Sequence, residues 1–551
     1  MKRLTYILLL LCATQTLFAQ RLIRRSSRHY VEAQMLPERV EPMLTDDWHQ
    51  YPPYNSMCPL DSVGRQCIIG CVATAMAQLM HYWEWPKQGM GYHEYEDVDG
   101  CGQTLSANFA EHVYDWEHML DTYVDGNYTQ QEVDAVSLLG LDCGIAVNMR
   151  YGYVTSGAQP VYQPMALVNY FRYDAGAQLY FRDFYSLADL TLMMKKELAA
   201  GRPVLASGYN NNMGHAYVID GYNENEEFHI ALGLGGHYGD GWTNIPNMTP
   251  WQPEWYDLDS PENGMNILQI FAMGIMPNSH PEATGVERHN YTFQYVAAVT
   301  DDTHTSPVYE RNNVKLTVHD LSNLGWNLHE DSVAVVLKHD DAIVCPLYVY
   351  DHPFLLEEVD DTTYTDTLRL SIPSQVENGV YTIVPMYRDN TADGGKEWRE
   401  ALTCTGTPNY LIARVQDDSV ILQSDTASTA YLTLEDIDIP DLFINSQAQE
   451  YSITFKNHNT EMAGRFYLLM EPLFEGGTPF YLQRQGLTMA KDEVSTRRFH
   501  MTNIYAPHRG AYRLHVFYEA NLFADELIEL ELPEEKIITV IRGSDLQIAQ
   551  R

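Results

Sequence analysis

Cys71 begins a stretch, Cys71-Val72-Ala73-Thr74-Ala75-Met76-Ala77-Gln78-Leu79-Met80, in which apolar residues recur with helical spacing. Val72, Ala75, Met76, Leu79, Met80 and Trp83 fall on one face, a loop ends at Gly70, and Pro86 stops the helix. A thiol in that first turn meets unpaired backbone N–H groups and the positive end of the helix dipole, both of which favour a thiolate. Such a placement makes a cysteine nucleophile. The competing reading is a small buried hydrophobe, the common fate of a free cysteine. A nucleophile also needs a base, distant in sequence and adjacent in the fold. Among 20 histidines, His215 is singled out by its context. It follows Met213-Gly214, opens an apolar strand, and lies about 140 positions after Cys71, inside the roughly 130–150 of a papain-like order. A satisfied core histidine is the alternative at that position.

The elements around these two residues read as helices first and sheet later. Pro42 to Pro59 is extended and turn-rich, with Trp48, Gln50 and Pro53-Tyr54-Asn55 as landmarks. Helical runs are expected from Cys71, over Glu132–Leu141, over Ala166–Phe171 and from about Ala188 to Ala200, where Gly201 ends the last. Strands are expected at Pro203–Gly208, His215–Ile219 and Glu227–Leu232, as an antiparallel meander, with a closing strand in Asn266–Met276. This order indicates an α+β domain. Beyond Pro277 short alternating strands recur (Tyr291–Val299, Val314–Val318, Val333–Leu337, Thr367–Ile372, Gly379–Tyr387) and restart after Val415 (Glu450–Phe455, Gly464–Met470, Gly510–Phe517, Leu527–Leu532). They predict two β-sandwich modules of immunoglobulin-like type. Neither contains a compact His/Cys/Asp constellation, so they read as spacers or binding modules that would contact a cell-surface or host protein.

Composition narrows the function classes. The 551 residues suggest about three domains, and 45% hydrophobic content describes globular material. A formal net charge of -39 argues against nucleic-acid or anionic-membrane partners. Lys2 and Arg3, the apolar run Leu4–Leu17 and Ala19 form an export leader cleaved after Ala19, and no later run is long enough for an integral membrane segment. Leu11 is too bulky for Cys12 to serve as a lipid anchor. Of 8 cysteines, Cys12 leaves with the leader, so an odd number (Cys58, Cys67, Cys71, Cys101, Cys143, Cys345, Cys404) enters an oxidising compartment and at least one stays unpaired. Cys67 and Cys71 have no second close pair to complete a zinc site. No cofactor or metal is expected. The resulting division is a leader at 1–19, a linker or short pro-segment at 20–41, the α+β domain at 42–277, and β-sandwich modules at 285–415 and 425–545.

Gly70-Cys71-Val72-Ala73-Thr74-Ala75-Met76-Ala77-Gln78 and Gly214-His215-Ala216-Tyr217-Val218-Ile219-Asp220-Gly221-Tyr222 resemble the nucleophile and histidine motifs of the streptopain family, secreted bacterial cysteine peptidases of papain-like fold. The resemblance extends to Pro53-Tyr54-Asn55, Tyr114-Asp115-Trp116, Met149-Arg150-Tyr151-Gly152, Ser156-Gly157-Ala158 and Gly201-Arg202-Pro203-Val204. It implies that Cys71 attacks a peptide bond, that His215 is general base and then acid, and that Gln66 helps form the oxyanion hole. The implied substrate is a protein or peptide. Two departures stand out. Ala231 occupies the position of the asparagine that orients the imidazole, with Leu232 and Leu234 in place of tryptophans; Asp220 is on the wrong strand face to substitute. The segment 20–41 is also short beside the inhibitory pro-domain of many members. The sequence therefore supports a Cys–His dyad peptidase, with a catalytically impaired binding protein using the cleft or the β modules as the alternative.

Overall fold

The computed structural model describes residues 35–124, 126–210, 213–236, 240–248, 264–287, 289–299, 307–324, 331–350, 364–390, 397–445, 449–501, 506–520 and 527–542. The export leader and most of the linker at 20–41 lie outside the described residues.

Helix α1, Cys71–Trp83, is buried at every position from Val72 to Met80. The apolar stripe predicted one buried face. The other face is buried as well, because Ala73, Thr74, Ala77 and Gln78 are small or hydrogen-bonded and let neighbouring elements close over them. Glu84, in the left-handed conformation with φ 45, donates its N–H to His81 O and Met80 O, and Pro86 follows. Hairpin strands β1 (His93–Glu96) and β2 (Thr104–Ala107) come next. Helix α2, Gln130–Ala146, starts earlier than the apolar run because Thr129 and Glu132 form a reciprocal capping box. Helix α3 is Gln163–Phe171.

After β3 (Gln178–Phe181) and helix α4 (Leu187–Ala199, capped by Ser186), the chain enters a meander: β4 (Val204–Tyr209), β5 (Gly214–Tyr222), β6 (Phe228–Ala231) and β7 (Gly241–Thr243). Strand β8, Ile267–Met273, returns beside β4, and the six strands run in the order β3-β8-β4-β5-β6-β7, antiparallel throughout. Strand periodicity divides the interior. Leu205, Ala216, Val218 and Ala231 pack with α1 in one core. Val204, Ala206, Tyr217, Ile219, Phe228 and Ile230 pack with Leu190, Met194 and Leu198 of α4 in another. The segment before α1 ties these layers together. Val40 bridges Tyr222, Leu44 N donates to Asp220, and Ile69 N donates to Gln50 O.

The described residues of the C-terminal half are mostly β, as two pairs of sheets with separate apolar cores and one short 3-10 turn at Thr426–Ser428. The strand expected at Tyr291–Val299 is broken into Tyr291–Thr292 and Tyr295–Ala298. Both pair with Val314–Asn323, whose register shifts between Val318 and Leu321, where Asp320 has φ 51. The last sandwich touches the α+β region: Glu461 accepts from Arg182 Nη2 at 3.2 Å and Leu187 N at 2.7 Å, and Gly486 N donates to Asn266 Oδ1 at 3.2 Å. Among the described residues no helix is long and apolar enough to cross a membrane.

Candidate active site

Gly70 delivers the chain into α1 with φ 92 and ψ 144, a conformation that side-chain-bearing residues rarely adopt. A Cβ there would lie 2.8 Å from Met149 Sδ and 3.1 Å from Ser156 O. The loop is held by residues from remote stretches. Asn55 Nδ2 donates to Cys67 O at 2.8 Å, Ile68 N to Gly152 O at 3.1 Å, and Ser156 Oγ to Ile68 O at 2.7 Å. The short motifs that accompany the cysteine motif in sequence therefore meet around it in space. No side chain caps α1, so its first-turn N–H groups remain available to the half-buried Cys71.

His215 sits near the start of β5, opposite Gly208 of β4, and is 7% exposed. Its Nε2 lies 2.9 Å from Leu232 O. A carbonyl can only accept, so Nε2 carries the proton and Nδ1 is left for Cys71. The electrostatics of the pair are reciprocal. Burial by itself would raise the Cys71 thiol; the charge of His215, its hydrogen bond, and the N–H groups of Ala216 and Val72 outweigh burial and hold it below its ordinary 9.0. Burial by itself would lower His215; the Cys71 charge and hydrogen bond and the Leu232 carbonyl lift it above 6.5. Burial drives the other cysteines the opposite way: Cys58, Cys101, Cys143 and Cys345 are raised and Cys67 is pushed up to about 11. Cys71 is the thiol whose surroundings favour the anion. None of the seven described cysteines is in a disulfide.

Among the described residues no side chain bonds Nε2 of His215, yet the imidazole is oriented. The Leu232 main chain does it, and a carbonyl present at every residue leaves no trace in sequence. Leu232 is fixed in turn. Its N–H donates to Asp240 Oδ1 at 2.7 Å, and Gly233 (φ 65) lies so close to α1 that a Cβ would be 2.7 Å from Thr74 Cγ2. Gly235 N donates to Trp48 O at 3.1 Å. Asp220 serves elsewhere, bonding His229 Nδ1 at 2.7 Å and Leu44 N at 2.9 Å.

Gln66 lies in the loop before α1. Its Nε2 donates to Asn55 O at 3.1 Å and to Cys58 O, so both amide hydrogens brace the loop and none is left for an oxyanion. The β region also differs from its reading: His289, Asp331 and Asp389, scattered in sequence, converge with donor atoms within 4.8 Å of one another, and His289 Nδ1 lies 2.6 Å from Asp331 Oδ2. Strand pairing brings them together, which a search for compact motifs misses.

Residues 48–242 match the model of the Peptidase C10 family. The chain is 28% identical over 468 residues to the thiol protease/hemagglutinin PrtT of Porphyromonas gingivalis, covering 80% of this chain and 50% of that protein. It is 30% identical over 244 residues to streptopain of Streptococcus pyogenes, covering 42% of this chain and 60% of the relative. The chain thus spans about half to three-fifths of these curated relatives. Among solved structures, active wild-type interpain A of Prevotella intermedia is 32% identical, covering 46% of this chain and 96% of that one with a TM-score of 0.39.

Proposed function

We propose that this chain, which belongs to the Peptidase C10 family, is an exported cysteine endopeptidase working through Cys71 and His215. The observation that carries the proposal is the pairing of Cys71, held below the ordinary thiol range, with an imidazole whose far nitrogen is fixed by Leu232 O. In this reading the Cys71 thiolate attacks the carbonyl carbon of a bound peptide. The developing oxyanion takes the Cys71 N–H at the uncapped start of α1. His215 gives its Nδ1 proton to the leaving amine as the tetrahedral intermediate collapses to a thioester. It then takes a proton from water, which attacks the thioester, releases the acid product and restores the thiol.

The Leu232 carbonyl weighs against the impaired-site alternative that Ala231 suggested, since it supplies the tautomer and ring orientation an asparagine would give. A binding role for the β region stands beside the peptidase reading, because similarity to PrtT covers 80% of the chain whereas the family match ends at residue 242. The deciding experiment incubates wild type, Cys71→Ala and His215→Ala with a denatured protein and with a peptide fluoromethylketone. Cleavage and Cys71 labelling are expected in wild type alone. Cleavage retained by Cys71→Ala, or labelling of wild type no faster than of His215→Ala, would overturn the reading.

A further inference from the structure

Leu232 is anchored at both ends of one residue: its C=O accepts from His215 Nε2 and its N–H donates to Asp240 Oδ1. The placement of Asp240 follows from strand register. Ile230 of β6 pairs with Gly241 of β7, which sets the preceding residue, Asp240, across from the end of β6, where Leu232 leaves the sheet. We infer that Asp240 is the positioning residue of the dyad, holding the Leu232 main chain where its carbonyl meets His215. The inference rests on the peptidase reading above.

Two features separate this from ordinary loop bracing. An amide N–H needs only an acceptor, and a neutral one would satisfy it without the cost of half-burying a carboxylate. Asp240 is half-buried, and among the described residues it forms no ion pair. The charge is thus spent on the groups around it. Burial raises the Asp240 carboxyl above its usual range, Leu232 N–H and His229 of β6 oppose that rise, and Asp220 of β5 and Asp46 of the N-terminal segment add to it. His215 in turn sees Cys71 from α1 and Asp240 from this loop, and both favour its protonated form. The second feature is the absence of side-chain help: with Ala231 in the orienter's position, ring orientation depends on one carbonyl and therefore on whatever fixes that carbonyl.

The test uses the full chain and two substitutions. Asp240→Asn keeps an oxygen for Leu232 N–H and removes the charge; Asp240→Ala removes both. Turnover of a denatured protein substrate and alkylation of Cys71 by iodoacetamide, followed by peptide mass spectrometry, are measured across the pH range in which the imidazole titrates. Asp240→Ala should lose kcat on the order of a hundredfold, the cost of a misplaced reacting group, with little change in KM. Asp240→Asn should keep kcat within a few-fold, because its side-chain oxygen still accepts from Leu232 N–H. Asp240→Ala that folds and turns over like wild type overturns the inference. So does Asp240→Asn with a loss on the order of a hundredfold; this second variant decides the matter if Asp240→Ala does not fold. His215→Ala runs alongside. If wild-type Cys71 is alkylated no faster than in His215→Ala, the dyad reading falls and this one with it. If that contrast holds while both Asp240 variants behave as wild type, the positioning role alone falls.

Discussion

Replacing Gly233 with alanine tests the contact that seats the Leu232 loop on the nucleophile helix. At φ 65 an alanine occupies the left-handed region at a cost of roughly 1–2 kcal/mol. Its Cβ would also stand 2.7 Å from Thr74 Cγ2 and 3.1 Å from Gln78 Oε1. Thr74 is 2% exposed and its hydroxyl donates to Gly70 O at 3.0 Å, so the methyl cannot swing aside without breaking that bond. Overpacking of this kind costs about 1–3 kcal/mol, giving a total of about 2–5 kcal/mol for Gly233→Ala. Thr74→Ser removes the methyl and keeps the hydroxyl, at about 1 kcal/mol by itself. In the double variant the overlap disappears and the backbone strain stays, so the two substitutions should couple favourably by about 1–3 kcal/mol. The assay is the urea dependence of alkylation at Cys143, fully buried on α2 in the core shared with α1, which reports this region separately from the β sandwiches. A Gly233→Ala cost below about 1 kcal/mol, or a cost unchanged in the Thr74→Ser background, refutes the packing argument. Gly233→Ala should also slow alkylation of Cys71, because the displaced loop carries the carbonyl that holds His215.

The dyad predicts the pH behaviour of its thiol: alkylation of wild-type Cys71 by a neutral reagent should rise through a midpoint below 9.0, and His215→Ala should move that midpoint upward, because only the N–H groups of Ala216 and Val72 then oppose burial. Turnover should fall on the alkaline side as His215 loses its proton, at a pH above 6.5, since the thiolate–imidazolium pair exists between the depressed thiol and the raised imidazole. Glu461→Ala removes the ion-pair partner of Arg182, which is 4% exposed and keeps Tyr185 O and Thr488 Oγ1 as acceptors beside the Asp183 charge, and should cost about 3 kcal/mol in urea unfolding, with Glu461→Gln losing much less. Thr129→Ala breaks the capping box of α2 and should cost about 1 kcal/mol, read as faster hydrogen exchange in the first turn of that helix.

What could be read in the sequence was what local chemistry dictates. The apolar spacing after Gly70 set the helix that starts at Cys71, Pro86 bounded it, and apolar stretches between turn signals marked β4 and β6 nearly to their ends and the first part of β5. The α+β order and the β-rich remainder followed from the same periodicities. Boundaries moved where a side chain outside the apolar run decided them, as Thr129 does for α2. The role of Gln66 was implied by the resemblance, and sequence does not say where an amide points; here it donates to the carbonyls of Asn55 and Cys58. His289, Asp331 and Asp389 escaped notice because only strand pairing makes them neighbours.

The sequence by itself determined which thiol and which imidazole to join, since residue type, glycine placement and periodicity are properties of short stretches. It also exposed the missing asparagine at Ala231. Tertiary structure decided what meets the far nitrogen of His215: the carbonyl of Leu232, whose N–H donates to Asp240 and whose neighbour Gly233 closely approaches Thr74. Backbone groups are the same at every position, so which of them performs a task is settled by register and packing, and those exist only once the chain has folded.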